Sequence, residues 1–503
     1  MNLTQEELNK QLLEAAEKND FEGVKESLLM GANVNAATKK GSTALILTTT
    51  SQIINMLIKS GADLNATDVF GRSVYSDDKS IKVLDLIVKA GGNVDTRKVE
   101  GPTALMNSHS QKHINYLLAQ GADINAKDRS GNSVLLRSVK RYSLYSLRDN
   151  NFSEKEKIAK LFIMAGADVN AINDVGDTPL MLSQSFEITK NLIQYSAEVN
   201  AKDSSGTSVL MRKLKAYDFN DAHKEMCGEY LEPMEKKRNK IVKILIESGA
   251  DVNYKRPSDG NTPLMLVENI NDAKSLLRAG AKINAKNFKG ETALFQLTSK
   301  WAERVDYTEI RDKIPQLLIK AGADVNAITN NFETALMVSE WSDITRELIK
   351  YKADVNAKDS NGTSVLMHKL KAYYQEDTDY PEVPPYSMHP SGKDRNNTVL
   401  MLLQAKADVN YQRPSDGKTP LMLCEEMNDA KNLIAYGADI LLKDSDGKLA
   451  HEQEIFNNSS DLKKIKSYLV ELSLMHVANS TMNSEKLTTE QEHKPSIHKH
   501  QRL

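Results

Sequence analysis

Apolar and polar positions along the chain fall into a recurring phrase. An amphipathic run with apolar residues at helical spacing, such as Ile54, Leu57 and Ile58, or Ile114, Leu117 and Leu118, closes on a glycine. The closing sequences read GANVNA from Gly31, GADLNA from Gly61, GADINA from Gly121, and GADVNA from Gly166 and Gly322. Weaker copies start at Gly91, Gly249, Gly280 and Gly437, and three have lost the glycine, at Ser196, Lys352 and Lys406. A second phrase follows each after a polar stretch: STAL at Ser42, PTAL at Pro102, DTPLM at Asp177, NTPLM at Asn261, ETALM at Glu333 and KTPLM at Lys418.

Each piece has a local physical meaning. Thr178, Thr262 and Thr419 are placed to cap a helix, and the prolines after them occupy the first helical position, where a missing N–H costs nothing. The closing glycine ends the second helix in a left-handed turn, and the Ala-Asp-Val-Asn stretch runs on into an extended hairpin. A side chain in place of that glycine, as at Ser196, Lys352 and Lys406, costs about 1 kcal/mol. One such unit cannot bury both of its apolar stripes, but stacked units can.

The pattern resembles the ankyrin repeat family, whose units read D-x-x-G-x-T-P-L-H, two antiparallel helices, then L-L-x-x-G-A-D-V-N. The resemblance implies an all-α repeat solenoid of stacked helix pairs joined by short β-hairpin loops. Thirteen pairs are expected, the first over Glu7–Met30 and the others starting at Ser42, Arg72, Pro102, Asn132, Asp177, Thr207, Asn261, Glu291, Glu333, Thr363, Lys418 and Lys448. The domain plan is an N-terminal capping pair and hairpin in 1–40, the array in 41–446, a C-terminal capping pair in 447–473 and a disordered polar tail in 474–503. The family's histidine after Thr-Pro-Leu is absent. Its column reads Met106, Leu136, Met181, Met211, Met265, Phe295, Met337, Met367 and Met422, which predicts a buried ladder between adjacent first helices.

Unit length varies rhythmically. From capping residue to junction the short units, Thr43–Gly61, Thr103–Gly121, Thr178–Ser196 and Thr262–Gly280, are equal and lack a helical turn against the family's ~33-residue period. Long units, Ser133–Gly166, Ser208–Gly249, Thr292–Gly322 and Ser364–Lys406, alternate with them and place their excess near 137–157, 212–240, 296–313 and 368–397. The segment from Gly166 to Tyr217 matches that from Gly322 to Tyr373, and NYKRPSDG from Asn253 matches NYQRPSDG from Asn410, so four units were copied together. The insertions are open to two readings, as solvated loops of low closure cost or as partner-recruiting loops on a rigid scaffold.

Composition then narrows the function. Lys+Arg 66 against Asp+Glu 68 leaves a formal charge of −2, so no global field draws the chain to nucleic acid or lipid. Arg137, Lys140, Arg141, Tyr142 and Tyr145 read as a solvated helix end, not an RNA surface. Two cysteines, Cys227 and Cys424, exclude a disulfide framework and point to a reducing compartment. The polar opening Met1–Asn9 carries no signal-like segment, and apolar clusters such as Ile241–Ile246 fall short of the ~20 residues of a bilayer span. The expected location is the cytoplasm, or the cytosol of a host cell into which the chain is delivered. No phosphate loop, zinc-binding helix, nucleophile elbow or paired C-x-x-C appears. His493, His498 and His500 read as solvated tail residues. No catalytic residue, cofactor or metal is expected.

The expectation is therefore a non-enzymatic, monomeric scaffold that binds partner proteins through hairpin tips and a concave helix face. Two tips stand out, Tyr254–Asp259 and Tyr411–Asp416, one residue longer than their neighbours and carrying Tyr254, Arg256, Tyr411 and Arg413, types enriched at interface hot spots. An alternative is a secreted effector of an intracellular bacterium or virus that recruits or modifies host proteins, with the polar tail as its export signal. The Asn of the GADVN phrase (Asn170, Asn200, Asn326, Asn356) resembles the residue that asparaginyl hydroxylases modify in the family, although a hairpin role suffices to explain it.

Overall fold

A computed structural model describes residues 3–76, 79–97, 101–140, 152–214, 236, 238–299, 313–339, 341–370, 392–457 and 460–492. The chain forms two units, Met1–Ser258 and Asp259–Leu503. Each is an all-α stack of helix pairs in which like packs on like.

In the N-terminal unit, Gln5–Glu17 opens the stack. Thr4 caps it by accepting the Glu7 N–H at 3.3 Å, while the Glu7 carboxylate accepts the Thr4 N–H at 2.8 Å. This helix packs on its partner Phe21–Leu29 and on the next first helix, Ala44–Leu47; Phe21–Leu29 packs on Ser51–Lys59, and that on Ile81–Lys89. The same pattern joins the first helices Ala104–Asn107, Val134–Lys140, Pro179–Leu182 and Val209–Leu214. In the C-terminal unit it joins Pro263–Leu266, Ala293–Ser299, Ala335–Val338, Val365–Leu370 and Pro420–Leu423, with the second helices stacked alongside.

The core is the sum of these seams. Ile53, Ile54 and Leu57, or Ile114 and Leu117, are fully buried on the apolar stripe of their second helices, at about 2–3 kcal/mol for each large aliphatic side chain. The methionine column is buried throughout, from Met106 and Met181 to Met367 and Met422. It is a ladder between first helices, as its period requires.

Short and long units differ where expected. First helices of short units are a single turn, Ala44–Leu47, Ala104–Asn107, Pro179–Leu182 or Ala335–Val338, and the Thr-Pro-Leu-Met copies at Pro263–Leu266 and Pro420–Leu423 are 3₁₀. A helix this short leaves its last carbonyls without intrahelical partners. Lysines from the neighbouring unit fill the gap. Lys213 Nζ donates to the carbonyls of Met181, at 2.7 Å, and Ser183; Lys369 Nζ donates to those of Met337, at 2.9 Å, and Ser339. Lys79 does the same to Ile46, at 2.7 Å, and Thr48, at 2.5 Å. All three lysines are buried. Lys213 and Lys369 stand on the first helices of long units, so in these two units the longer first helix closes the open end of the short one before it.

Several expectations change. The pair starting at Arg72 has no regular first helix among the described residues: Val74 and Tyr75 form a buried turn. The sequence after them, Ser-Asp-Asp-Lys, offers no apolar face to hold one. The hairpins are reduced to isolated antiparallel bridges, Ala37 with Thr43, Lys202 with Ser208, Ile328 with Thr334 and Lys358 with Ser364, because each tip turns at once. The last helix, expected over Asp461–Ser473, runs from Ser460 to Glu492, through most of the stretch read as a disordered tail. After Gly447 no glycine or proline interrupts the chain until Pro495. The insertion interiors 141–151, 215–235, 300–312 and 371–391, with Arg141, Tyr142, Tyr145 and Cys227, lie outside the described residues, as do His493, His498 and His500.

Candidate functional site: the repeat tips

Each tip is held by its own side chains. Asp203 Oδ1 accepts the N–H groups of Ser205 and Thr207 at 2.9 Å, and Asp359 Oδ1 accepts those of Asn361, at 2.9 Å, and Thr363, at 2.8 Å. The second carboxylate oxygen faces the following first helix, where it meets Arg212 or His368, each at 3.0 Å. Burial raises the Asp203 pKa, but the hydrogen bonds from Ser205, Thr207 and Arg212 outweigh it and hold the carboxyl below its usual range.

The asparagines of the GADVN phrase tie one unit to the next. Asn170 Oδ1 accepts the Glu198 N–H at 2.7 Å, and its amide donates to the Ser196 carbonyl at 3.2 Å. Asn200 makes the same pair with Asp251 and Gly249, at 2.8 and 3.0 Å, and Asn410 with Asp439 and Gly437, at 2.7 and 3.0 Å. The junctions they grip are left-handed even without glycine: φ is 67° at Ser196, 68° at Lys352 and 66° at Lys406.

The two long tips are near-identical in build. Tyr254 donates its hydroxyl to the Gly206 carbonyl at 2.9 Å, and Lys202 Nζ lies 4.6 Å from its ring centre. Tyr411 donates to the Gly362 carbonyl at 2.9 Å, with Lys358 Nζ 4.3 Å from the ring centre. The preceding tip must carry glycine at its close: a Cβ on Gly206 would lie 2.7 Å from Pro257 Cδ, and one on Gly362 2.7 Å from Pro414 Cδ. Arg413 donates to both oxygens of Asp416, at 2.9 and 2.5 Å, which holds that carboxyl below its usual range. Tyr254, Arg256, Tyr411 and Arg413 are half-buried, whereas their neighbours Lys255, Pro257, Gln412 and Pro414 are exposed.

Sequence reading missed a set of exposed apolar tip residues, Phe70, Val175, Phe288 and Phe332. Phe70 lies under Lys40 and Arg72, 5.9 and 5.6 Å from its ring centre. Phe332 is the most unusual, 53 % exposed with φ at 59°, in the place that Gly176 holds in the other block copy. The available signal was an apolar residue in a tip that elsewhere reads Asp-Ser-Ser-Gly or Asp-Ser-Asn-Gly, outside any helical period.

No group of three or more potential metal ligands occurs among the described residues. Cys424 is fully buried beside Leu423 and Met422, a small apolar residue of the core. No helix among the described residues is long and apolar enough to cross a membrane.

The chain is 35% identical over 136 residues to a protein of fowlpox virus (strain NVSL) that carries the name ankyrin repeat protein FPV031. The repeats are ankyrin-like. That match covers 25% of this chain and 37% of the viral protein, little more than a third of the relative's length. No family model matches the chain.

Proposed function

We propose that the chain is a non-enzymatic scaffold that binds partner proteins through its repeat tips and the exposed face of its first helices. The observation that carries this reading is the duplicated long tip. Tyr254 and Tyr411 meet equivalent carbonyls at the same 2.9 Å, each with a lysine over its ring. Side chains fixed before binding lose little rotamer freedom on contact, and Tyr and Arg are the types that dominate interface energies. Tyr254, Arg256, Tyr411 and Arg413 are the contact residues of this reading, with exposed Pro257 and Pro414 beside the two arginines. The ankyrin repeat name of the fowlpox relative supports an interaction role.

Capture of partners from a lysate, compared between wild type and Arg256→Ala/Arg413→Ala with melting temperature measured alongside, tests it. The double variant loses partner recovery at unchanged fold; equal recovery removes these tips from the interface.

A second reading, a host-directed effector of a virus or intracellular bacterium, gains support from the viral source of that relative. Fusing residues 474–503 to a translocation reporter separates the two, since export of the reporter is expected only of an effector with a terminal signal.

A further inference from the structure

The lysine pins described above leave one position unfilled. In the N-terminal unit, the first helix Val134–Lys140 belongs to a long unit and follows the single-turn helix Ala104–Asn107, the arrangement in which Lys213 pins Pro179–Leu182. Aligning VLLRSVKRY from Val134 with VLMRKLKAY from Val209 puts Ser138 where Lys213 stands. The carbonyls equivalent to those of Met181 and Ser183 are then those of Met106 and Ser108. At the other long first helices the position is taken by Lys369 or by buried Leu297. Ser138 is too short, and its hydroxyl turns back to donate to the Leu135 carbonyl at 2.8 Å.

A cavity of about 330 Å³ lies at this place, lined among others by Met106, Ser108, Val134, Ser138, Ile158 and Phe162. Ser108 lines the cavity at 6% exposure, and its buried hydroxyl has no hydrogen-bond partner among the described residues. A buried hydroxyl without a partner costs about 1–3 kcal/mol, so the cavity carries a polar end that is not yet satisfied. Val134, Ile158 and Phe162 give it an apolar wall, and His109 and Arg137 complete its lining.

We infer that this cavity is a socket for a primary alkylammonium group. The ammonium takes the place of the missing lysine Nζ, donating to the Met106 and Ser108 carbonyls and the Ser108 hydroxyl, while its alkyl chain lies against Val134, Ile158 and Phe162. An ammonium brings three donors and no acceptor, which suits a rim of acceptors. Arg137 also lines the cavity; its Nη1 and Nη2 are held by Asp128 at 2.8 Å and Asn107 at 3.5 Å, while its buried Nε has no partner among the described residues. Arg212 occupies the same position beside Lys213, held by Asp177 and by Asp203, so a lysine amino group and this arginine already coexist at the sister site. The group is supplied either by a lysine side chain of a partner or by a free amine.

The test uses n-butylammonium, with n-butanol as its uncharged match, on the full chain at pH 6, read by melting temperature and titration calorimetry. n-Butylammonium is expected to raise the melting temperature saturably and n-butanol to leave it unchanged. Ser138→Lys fills the socket from within: its melting temperature rises and amine binding falls at least tenfold. Ser108→Ala keeps the fold and weakens amine binding several-fold, which serves if Ser138→Lys folds poorly. Equal binding of butanol, or amine binding untouched in both variants, overturns the assignment. Nα-acetyl-lysine methylamide distinguishes the sources: binding as tight as n-butylammonium assigns the socket to a partner's lysine, and binding of n-butylammonium alone assigns it to free amines.

Discussion

Asn326 accepts the Asp354 N–H through Oδ1 at 2.7 Å and donates through Nδ2 to the Lys352 carbonyl at 3.0 Å. The side chain of one unit thus satisfies both sides of the left-handed junction of the next, a junction with no glycine. Removing it leaves a junction N–H and carbonyl with only water to bond. Asn326→Ala is expected to cost about 1–2 kcal/mol. Because each unit touches only its neighbours, the loss concentrates at one seam: hydrogen exchange at 353–357 quickens by more than at Asn200 and its junction. Uniform quickening across the chain would show that Asn326 acts through the global fold instead.

The parts of this architecture written in contiguous residues were legible beforehand. Thr178 and Thr334 accept the N–H groups of Met181 and Met337, at 3.3 and 3.4 Å, and each motif needs only the two residues between them. The left-handed turns at Ser196, Lys352 and Lys406 follow from the phrase surrounding the lost glycine. What escaped depends on residues far apart in the chain. Lys213 meets a carbonyl 32 residues earlier, and nothing in VLMRKLKAY announces that partner. The first helix expected after Arg72, absent among the described residues, was misread because its capping Ser73 and the apolar Val74 fit the pattern, whereas Val74 and Tyr75 form a turn. At the candidate site, the longer tips and their tyrosines were visible as residue types. The carbonyls they bond, on tips 48 and 49 residues earlier, were not.

Lys213 makes stability depend on pH in a direction that can be read. Burial, with Arg212 beside it, pushes its ammonium down to about 7 from the ordinary 10.5. Above 7 and below the ordinary value the unfolded chain binds more protons than the folded one, so stability rises with pH across that window. The contribution is complete above the ordinary lysine value and is lost as pH falls through 7. Relative to Lys213→Met, the wild-type chain is expected to gain stability of the order of a few kcal/mol between pH 7 and pH 10. Melting curves of the two proteins at both pH values measure it. A constant difference would mean that Lys213 titrates as an exposed lysine does.

Phe332 combines strain with exposure. A left-handed residue with a side chain costs about 1–2 kcal/mol, and a phenylalanine 53% exposed returns only part of it by burial. Its place at a tip makes it a candidate contact of the proposed interface. Phe332→Gly restores the residue of the sister tip at Gly176, where φ is 78°. It is expected to stabilise the fold by about 1 kcal/mol while lowering partner capture. Lys352→Gly relieves similar strain at φ of 68° away from any tip, and serves as the control. It is expected to stabilise equally and to leave capture unchanged. If both variants bind as wild type, Phe332 is a tolerated strain and the contact surface lies on other tips. If both lose capture, the partner reads the rigidity of the array and not the ring.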